Sequence, residues 1–405
     1  MNLFDLCCDS LVRTIQTGIK KSSNKIGIEL EIFVLHKQGD IDIFNLKKYQ
    51  KLIHDYFSNK YNNDFYDNSK DEVIFVINKI GTITFEPGGQ MEISTICFYR
   101  LNDLIITVSL FLNELEKHVS KYGYSFYFSG YQPQRIDLRN KKRRYVNMYD
   151  YFNDFGKQMM TQTASLQVNL DYGKDDIFCL RWRAVHAIIP HCIFLFSNSY
   201  NKEFHSYRMH IWTQLDQTRV AGYYNPLKSQ SINDIAAHYC TKALNVYRIT
   251  AEENIEEFKN SEVVGKNINS SEILHIWKNH LSTIFSYVRL REYFELRFID
   301  CPTRLDIFYP AIIMWAIIYN DAAVCWILKH FTFEQKAIEP AILGECSYHF
   351  KNQIDQLLVL TKECIDDLSE DILSTEYKIK TKQYLTERIL ASNHLRNNKK
   401  GVSII

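Results

Sequence analysis

Four stretches of this chain alternate apolar side chains with acids or amides, and that period of two constrains the fold more than any other feature of the sequence. KIGIELEIFV puts Ile26, Ile28, Leu30 and Ile32 on one face and Glu29 and Glu31 on the other. ASLQVNLDY sets Leu166, Val168 and Leu170 against Gln167, Asn169 and Asp171, and YFELRFID sets Phe294, Leu296 and Phe298 against Glu295 and Arg297. The fourth stretch, GTITFEPGGQMEIS, holds two strands around Pro87-Gly88-Gly89. A three-residue loop there pairs Thr84 with Glu92 and Glu86 with Gln90. Pro87 keeps Glu86 extended, so Glu86 and Glu92 share a face. Five half-buried strands result, with apolar sides that need helices behind them.

For the hairpin alone, a solvated outer face produces the same alternation. Across all five strands the polar set is biased: Glu29, Glu31, Glu86, Glu92 and Glu295 with Gln167, Asn169 and Arg297. Carboxylates crowded on one surface repel unless a cation lies among them. Hard oxygen donors suit Mg²⁺ or Mn²⁺, which keep waters and bind phosphate as well. The chemistry inferred is two ions clamping a polyphosphate, with Arg297 neutralising transferred charge. A glycosidase needs only two carboxylates, and five acids exceed that need. No G-x-S-x-G elbow and no G-x-x-x-x-G-K-[ST] loop occurs, so a serine hydrolase of that type and a P-loop nucleotide site are not indicated.

A formal net charge of +1 over 405 residues gives no global field favouring nucleic acid or an acidic membrane. The N-terminal MNLFDLCCDSLVRTIQTGIKK reads as an amphipathic helix with no signal-peptide pattern. The ten cysteines contain no C-x-x-C spacing, which points to reduced thiols in a cytosol. The apolar run 309–328 is broken by Asn320 and Asp321 and reads as a buried helix, not a membrane span. His186, His191, His205 and His210 fit no usual ligand spacing. The segments 58–72 and 137–145 read as polar loops, the second strongly basic. Helices are expected near 101–122, 178–197, 231–258, 307–331 and 350–395, within one domain over 1–395 followed by a flexible tail, 396–405.

These strands, in this order, resemble the plant-type glutamate–cysteine ligase family, which also includes bacterial enzymes of ergothioneine and glutathione synthesis. GIELEIF is similar to its G-x-E-x-E strand and ITFEPGGQMEIS to its EPGGQ-x-E-x-S signature. RYVNMYDYF and TASLQVNLDY resemble its R-Y-x-x-M and Q-V-N-L-D segments. FSNSYNKEFHSYRMHIWTQLDQTR and WKNHLSTIFSYVRLREYFELRFID resemble two further stretches, ending in E-x-R. The likeness runs from about residue 25 to 330, six motifs in order.

The resemblance implies an α+β, glutamine-synthetase-like fold: a curved, mainly antiparallel sheet with helices packed behind it. It implies that ATP phosphorylates the side-chain carboxylate of L-glutamate and that the amine of L-cysteine displaces phosphate, giving γ-glutamylcysteine. By the same resemblance Glu29, Glu31, Glu86, Glu92 and Glu295 would hold Mg²⁺ or Mn²⁺, with Gln167 beside them. Glu92 and Arg297 would be catalytic. Arg144, Asn169, Arg208 and Trp212 would contact substrates, with Arg208 forking onto a substrate carboxylate and Trp212 walling the amino-acid pocket. A cytoplasmic monomer or homodimer is expected, with no nucleic-acid or membrane partner. Departures from the family pattern at FIDCPTRLD, SNSY and TASL leave another amine acceptor open. A non-catalytic relative is the third reading, and the retained acids and arginines argue against it.

Overall fold

The acid-bearing strands lie side by side. The computed structural model describes residues 2–36, 45–61, 64–67, 74–134, 136–249, 256–257, 269–345 and 347–400. Its strands are β1 (Ile26–His36), β2 (Phe65–Asp67), β3 (Phe75–Ile77), β4 (Gly81–Phe85), β5 (Met91–Thr95), β6 (Tyr124–Tyr127), β7 (Leu166–Leu170), β8 (Tyr247–Arg248), β9 (Glu256–Glu257), β10 (Val288–Leu290) and β11 (Phe294–Leu296). Nine of them form one sheet in the order β10-β11-β7-β1-β5-β4-β3-β2, with β6 also on β1, while β8 and β9 pair apart. The nine are joined by antiparallel ladders throughout. The expected α+β class with an antiparallel sheet and helices behind it is what the chain adopts.

Alternation decides which side of the sheet is buried. Ile26, Ile28, Leu30, Ile32, Ile83, Ile93, Leu166, Val168 and Leu170 are at most 1% exposed and belong to one cluster running from Cys7 to Leu385. Helix Tyr309–Ile318 lies within that cluster, with every residue from Pro310 to Ile318 buried. Each large aliphatic side chain buried this way contributes roughly 1.5–3 kcal/mol.

The hairpin closes as its spacing predicts. Thr84 faces Glu92, the Glu86 N–H donates to the Gln90 carbonyl at 2.9 Å, and the Gly89 N–H donates to the Glu86 carbonyl at 2.8 Å. Gly89 has φ +88°, and a Cβ on Gly88 would lie 2.6 Å from the Thr161 backbone, so both positions need glycine.

Several expected boundaries differ. The run 307–331 is two helices, Tyr309–Ile318 and Asp321–His330, bent by 89° where the Asn320 side chain caps the second. The 231–258 helix is shorter, Ile232–Leu244, because the chain turns at Asn245 and Tyr247 enters a strand pair with Glu257. Residues 250–255 and 258 of that expected helix lie outside the described residues. The 350–395 helix divides into Tyr348–Asp366 and Thr375–Lys400, since Glu370 accepts from the Thr375 N–H and hydroxyl at the second start. That last helix takes in 396–400 of the expected tail, and 401–405 lie outside the described residues.

Two expected loops carry structure. Residues 58–61 end helix Leu46–Tyr61 and 65–67 form β2, while 62–63 and 68–72 lie outside the described residues. Residues 143–145 open helix Arg143–Tyr151. The N-terminal helix is as expected, Leu3–Lys21. Helix Asp175–Leu195 is long and apolar enough to cross a membrane, and 78% of its apolar window is buried inside the protein.

Candidate active site

Strand order brings the acids together. Glu31 pairs with Glu92 across β1 and β5, Glu29 with Gln167 across β1 and β7, and Glu295 with Asn169 across β11 and β7. The face that carries them is roofed by short helices. Asn153 caps helix Asp154–Gln162, accepting from the Gly156 N–H at 3.0 Å, and Ser206 caps helix Tyr207–Thr213. The Arg139 and Asn140 N–H groups clamp the Pro87 carbonyl at 2.9 and 3.0 Å, which sets helix Arg143–Tyr151 against the hairpin. Between sheet and roof is a cavity of about 180 Å³. Glu29, Glu31, Glu86, Glu92 and Gln167 form its floor, and Arg144, Arg289 and Arg297 bring positive charge to it. Met148, Met159, Met160, Trp212 and Phe285 are its apolar wall.

The floor carboxylates are held by neutral donors. Asn169 Nδ2 donates to Glu29 Oε1 at 2.9 Å, and Gln167 Nε2 to Glu31 Oε1 at 3.2 Å. The Ser165 N–H donates to Glu31 Oε2 at 2.6 Å. Thr84 and Ser94 hydroxyls donate to Glu92 Oε1 at 3.0 and 3.1 Å. These bonds orient the acids without cancelling their charge. Burial, then Glu31, pushes Glu86 up to about 7. Burial, then Glu86 and the other floor acids, holds Glu92 well above the usual carboxylate range, and burial with Glu295 nearby raises Glu29.

Glu295, expected among the metal ligands, is the opposite case electrostatically. It is 1% exposed and does not line the cavity. Arg289 Nη1 reaches its Oε1 at 2.8 Å, Arg291 Nε its Oε2 at 3.0 Å, and Arg297 Nη1 also bonds Oε1. Burial alone would raise this carboxyl, but Arg289, Arg297 and Arg291 outweigh it and hold it at about 2. Its lone pairs serve guanidiniums. Arg297 in turn donates to Gln167 Oε1 at 2.8 Å, and burial, which would lower its pKa, is outweighed by Glu295.

Arg208, expected to fork onto a substrate carboxylate, is buried beside an acid of the chain itself. It is 1% exposed and absent from the cavity lining, because helix Tyr207–Thr213 turns it inward onto the Asp300 carboxylate, Nη1 to Oδ1 3.7 Å. Asn169 likewise lies beneath the lining, as support for Glu29. Arg144 and Trp212 line the cavity. Arg144 Nη2 donates to Ser282 Oγ at 2.7 Å, and Trp212 lies within 5.5 Å of the Arg297 guanidinium. His186 and His191 are core residues whose pKa values burial lowers to about 3 and 4.

Several residues escaped the sequence reading. Arg289 faces Glu295 across β10 and β11, a pairing that the rule used for Pro87–Gly89 yields directly for the 291–293 turn. Gln90, 2% exposed, ties the hairpin to the roof by donating to the Thr163 carbonyl at 2.8 Å. Asp300 and the methionine wall carried no sequence signal, since each depends on distant packing.

The donor set is chemically suited to a hard divalent cation: half-buried carboxylate oxygens whose mutual repulsion only a positive charge relieves. Among the described residues, no three acidic, His or Cys side chains converge as a ready-made ion cage.

A family model described as glutamate-cysteine ligase family 2 (GCS2) matches residues 25–342. The chloroplastic glutamate–cysteine ligase of Nicotiana tabacum is 30% identical over 285 residues, 64% of this chain and 53% of that protein. That of Arabidopsis thaliana is 29% identical over 280 residues, 64% and 53%, and ligase A of Oryza sativa subsp. japonica is 28% identical over 316 residues, 72% and 62%. The chain thus spans about half the length of the first of these relatives. A solved bifunctional glutathione synthetase from Pasteurella multocida aligns with a TM-score of 0.46 at 11% identity, over 96% of this chain and 51% of that one. With most of its length inside the family model, the chain belongs to glutamate-cysteine ligase family 2.

Proposed function

We propose that the protein is an ATP-dependent ligase that joins the side-chain carboxylate of L-glutamate to the amine of L-cysteine. The observation that carries this reading is the polarity of one cavity: Glu29, Glu86 and Glu92 on β1, the hairpin and β5, where burial and mutual repulsion outweigh the nearby cations, and Arg297 at the β11 end. Such a gradient suits a polyphosphate whose charge cations neutralise at one end and a guanidinium at the other. Family membership supports the same chemistry.

The reaction runs in two displacements. A glutamate γ-carboxylate oxygen attacks the γ-phosphorus of ATP and ADP leaves, giving an acyl phosphate. The cysteine amine then attacks the acyl carbon, the C–N bond forms, phosphate departs, and the amine loses its proton. Activation is needed because a carboxylate oxygen is a poor leaving group and phosphate a better one. Glu29, Glu31, Glu86 and Glu92 would hold Mg²⁺, which supplies charge neutralisation at the phosphates. Arg297 stabilises negative charge on the transferred phosphoryl group, oriented by Glu295 and Gln167. Arg144 and Trp212 shape the side of the cavity opposite the floor. Of the three stretches that depart from the family pattern, only TASL reaches the cavity lining, through Thr163.

The test is phosphate release by purified protein with ATP, Mg²⁺ and L-glutamate, with and without L-cysteine, and mass spectrometry of the product. Cysteine-dependent release with a γ-glutamylcysteine mass is the expected result. Release that needs another amine would replace the acceptor, and no release across an amine panel would overturn the ligase reading.

A further inference from the structure

Helix Ser270–Leu281 is followed by two hydroxyls that make the same pair of bonds to different arginines. Ser282 Oγ donates to the Asn279 carbonyl, and Thr283 Oγ1 donates to the His280 carbonyl at 2.7 Å. Both carbonyls lie in the last turn, where a helix has acceptors to spare. A hydroxyl has a single proton, so each oxygen is left to accept. A guanidinium can only donate, and each hydroxyl receives one. Arg219 Nη1 reaches Thr283 Oγ1 at 2.9 Å, and Arg144 Nη2 reaches Ser282 Oγ at 2.7 Å.

The two arginines differ in what else they meet. Arg219 is fully buried, and Asp216 matches its charge, Nε to Oδ2 3.1 Å. Arg144 is half-buried in the cavity wall and, among the described residues, pairs with no carboxylate. The other cavity arginines, Arg289 and Arg297, share Glu295. Arg144 is thus steadied by a neutral oxygen at the negative end of a helix, which holds a cation in place without cancelling it.

We propose that Ser282 is a positioning residue for substrate binding. With its proton tied to Asn279, it fixes one edge of the Arg144 guanidinium and leaves the rest of the fork for an oxyanion of a substrate, the carboxylate of an amino acid or a phosphate of ATP. This deepens the ligase reading above and rests on it. A guanidinium free to swing must be ordered by the ligand it binds, so the loss of Ser282 falls on affinity and spares the chemical step.

Ser282→Ala tests this by calorimetric titration with L-glutamate and with a non-hydrolysable ATP analogue in Mg²⁺, beside steady-state kinetics. Affinity for one of the two should fall about 5- to 20-fold, with KM rising in parallel and kcat within about threefold of wild type. The ligand affected is the one whose oxyanion Arg144 holds. Ser282→Thr, which keeps the hydroxyl, should bind as the wild type does. In an Arg144→Gln background, Ser282→Ala should change nothing further, because the two residues act as one. Unchanged affinity for both ligands in Ser282→Ala would overturn the proposal, even with a lower melting temperature. So would an equal loss with and without Arg144, which would make Ser282 a direct ligand. A wild-type protein that turns nothing over, yet loses affinity through Ser282→Ala, would count against the ligase reading and uphold the positioning role. A wild type that binds neither ligand would overturn both.

Discussion

Glu86 and Glu295 are the same side chain at two ends of one sheet surface, and they titrate in opposite directions. Glu86, beside β4, faces other carboxylates across β5 and β1 and is pushed up to about 7. Glu295, on β11, is more deeply buried yet is held at about 2 by Arg289, Arg297 and Arg291. Burial alone cannot explain the pair, since it acts upward on both. The sign is decided by the neighbours that the sheet supplies. At one end the protein has already neutralised its carboxylate and uses it to aim an arginine. At the other, burial and neighbouring acids outweigh Arg297 and Lys142, at a cost that a bound cation would remove. The two ends are therefore different instruments, although the alternating pattern presents them as equals.

The largest expected effect is on the arginine that links the ends. Arg297→Ala should reduce turnover by about 10³-fold or more while the protein stays folded, as measured by phosphate release and a melting curve. A loss below about tenfold would remove Arg297 from the reacting centre. Next is Glu295→Gln, which leaves three guanidiniums without their carboxylate. Its urea midpoint should report a loss of about 3–5 kcal/mol, whereas Glu86→Gln in metal-free buffer should lose nothing measurable. Equal losses in the two variants would erase the contrast between the ends.

Glu86→Gln should instead raise the Mg²⁺ concentration needed for half-maximal turnover by about tenfold, with titration of Mg²⁺ at saturating ATP as the measurement. An unaltered Mg²⁺ requirement would place the cation elsewhere. The smallest effect is in pH. The folded pKa of Glu86 lies above its unfolded value of 4.5, so between about 4.5 and 7 the folded chain binds the extra proton. Its contribution to stability is present below 4.5 and is lost as pH rises through about 7. Glu295 runs the other way, stabilising above 4.5 and losing that contribution only as pH falls through about 2. With chelator present, the urea midpoint of the wild type minus that of Glu86→Gln should fall between about pH 5.5 and 7.5, the opposing contributions of buried His186 and His191 cancelling in the difference, and Mg²⁺ with ATP should flatten that slope. A difference that rises over this range without metal would contradict the raised Glu86 carboxyl.

Much of this site is legible from local rules. Alternation places Glu29, Glu31, Glu92 and Gln167 on the face opposite Ile28, Leu30, Ile93 and Val168, and a three-residue loop with glycine at its positive-φ position pairs Thr84 with Glu92. The caps of Asn320 and Ser206 are short-range signals of the same kind. What local rules miss is instructive. The helix that carries Arg208 places its guanidinium against Asp300, 92 positions further along and already holding three donors. The bend at Asn320 was visible as two polar residues in an apolar run, but its 89° angle follows from packing each half against different neighbours.

By itself the sequence determined which side chains share a face, because the periods of two and 3.6 are properties of the backbone and need no partner. It determined the hairpin register for the same reason, and six ordered motifs sufficed to point to the family. Only the tertiary structure decided that β11, β7, β1, β5 and β4 are consecutive neighbours, and with that which glutamate meets arginines and which meets other glutamates. Charge state depends on distances between residues more than a hundred positions apart, such as Gln167 with Arg297 or Asn169 with Glu29. No local pattern encodes those distances; they arise when burial of the apolar face selects one strand order out of many.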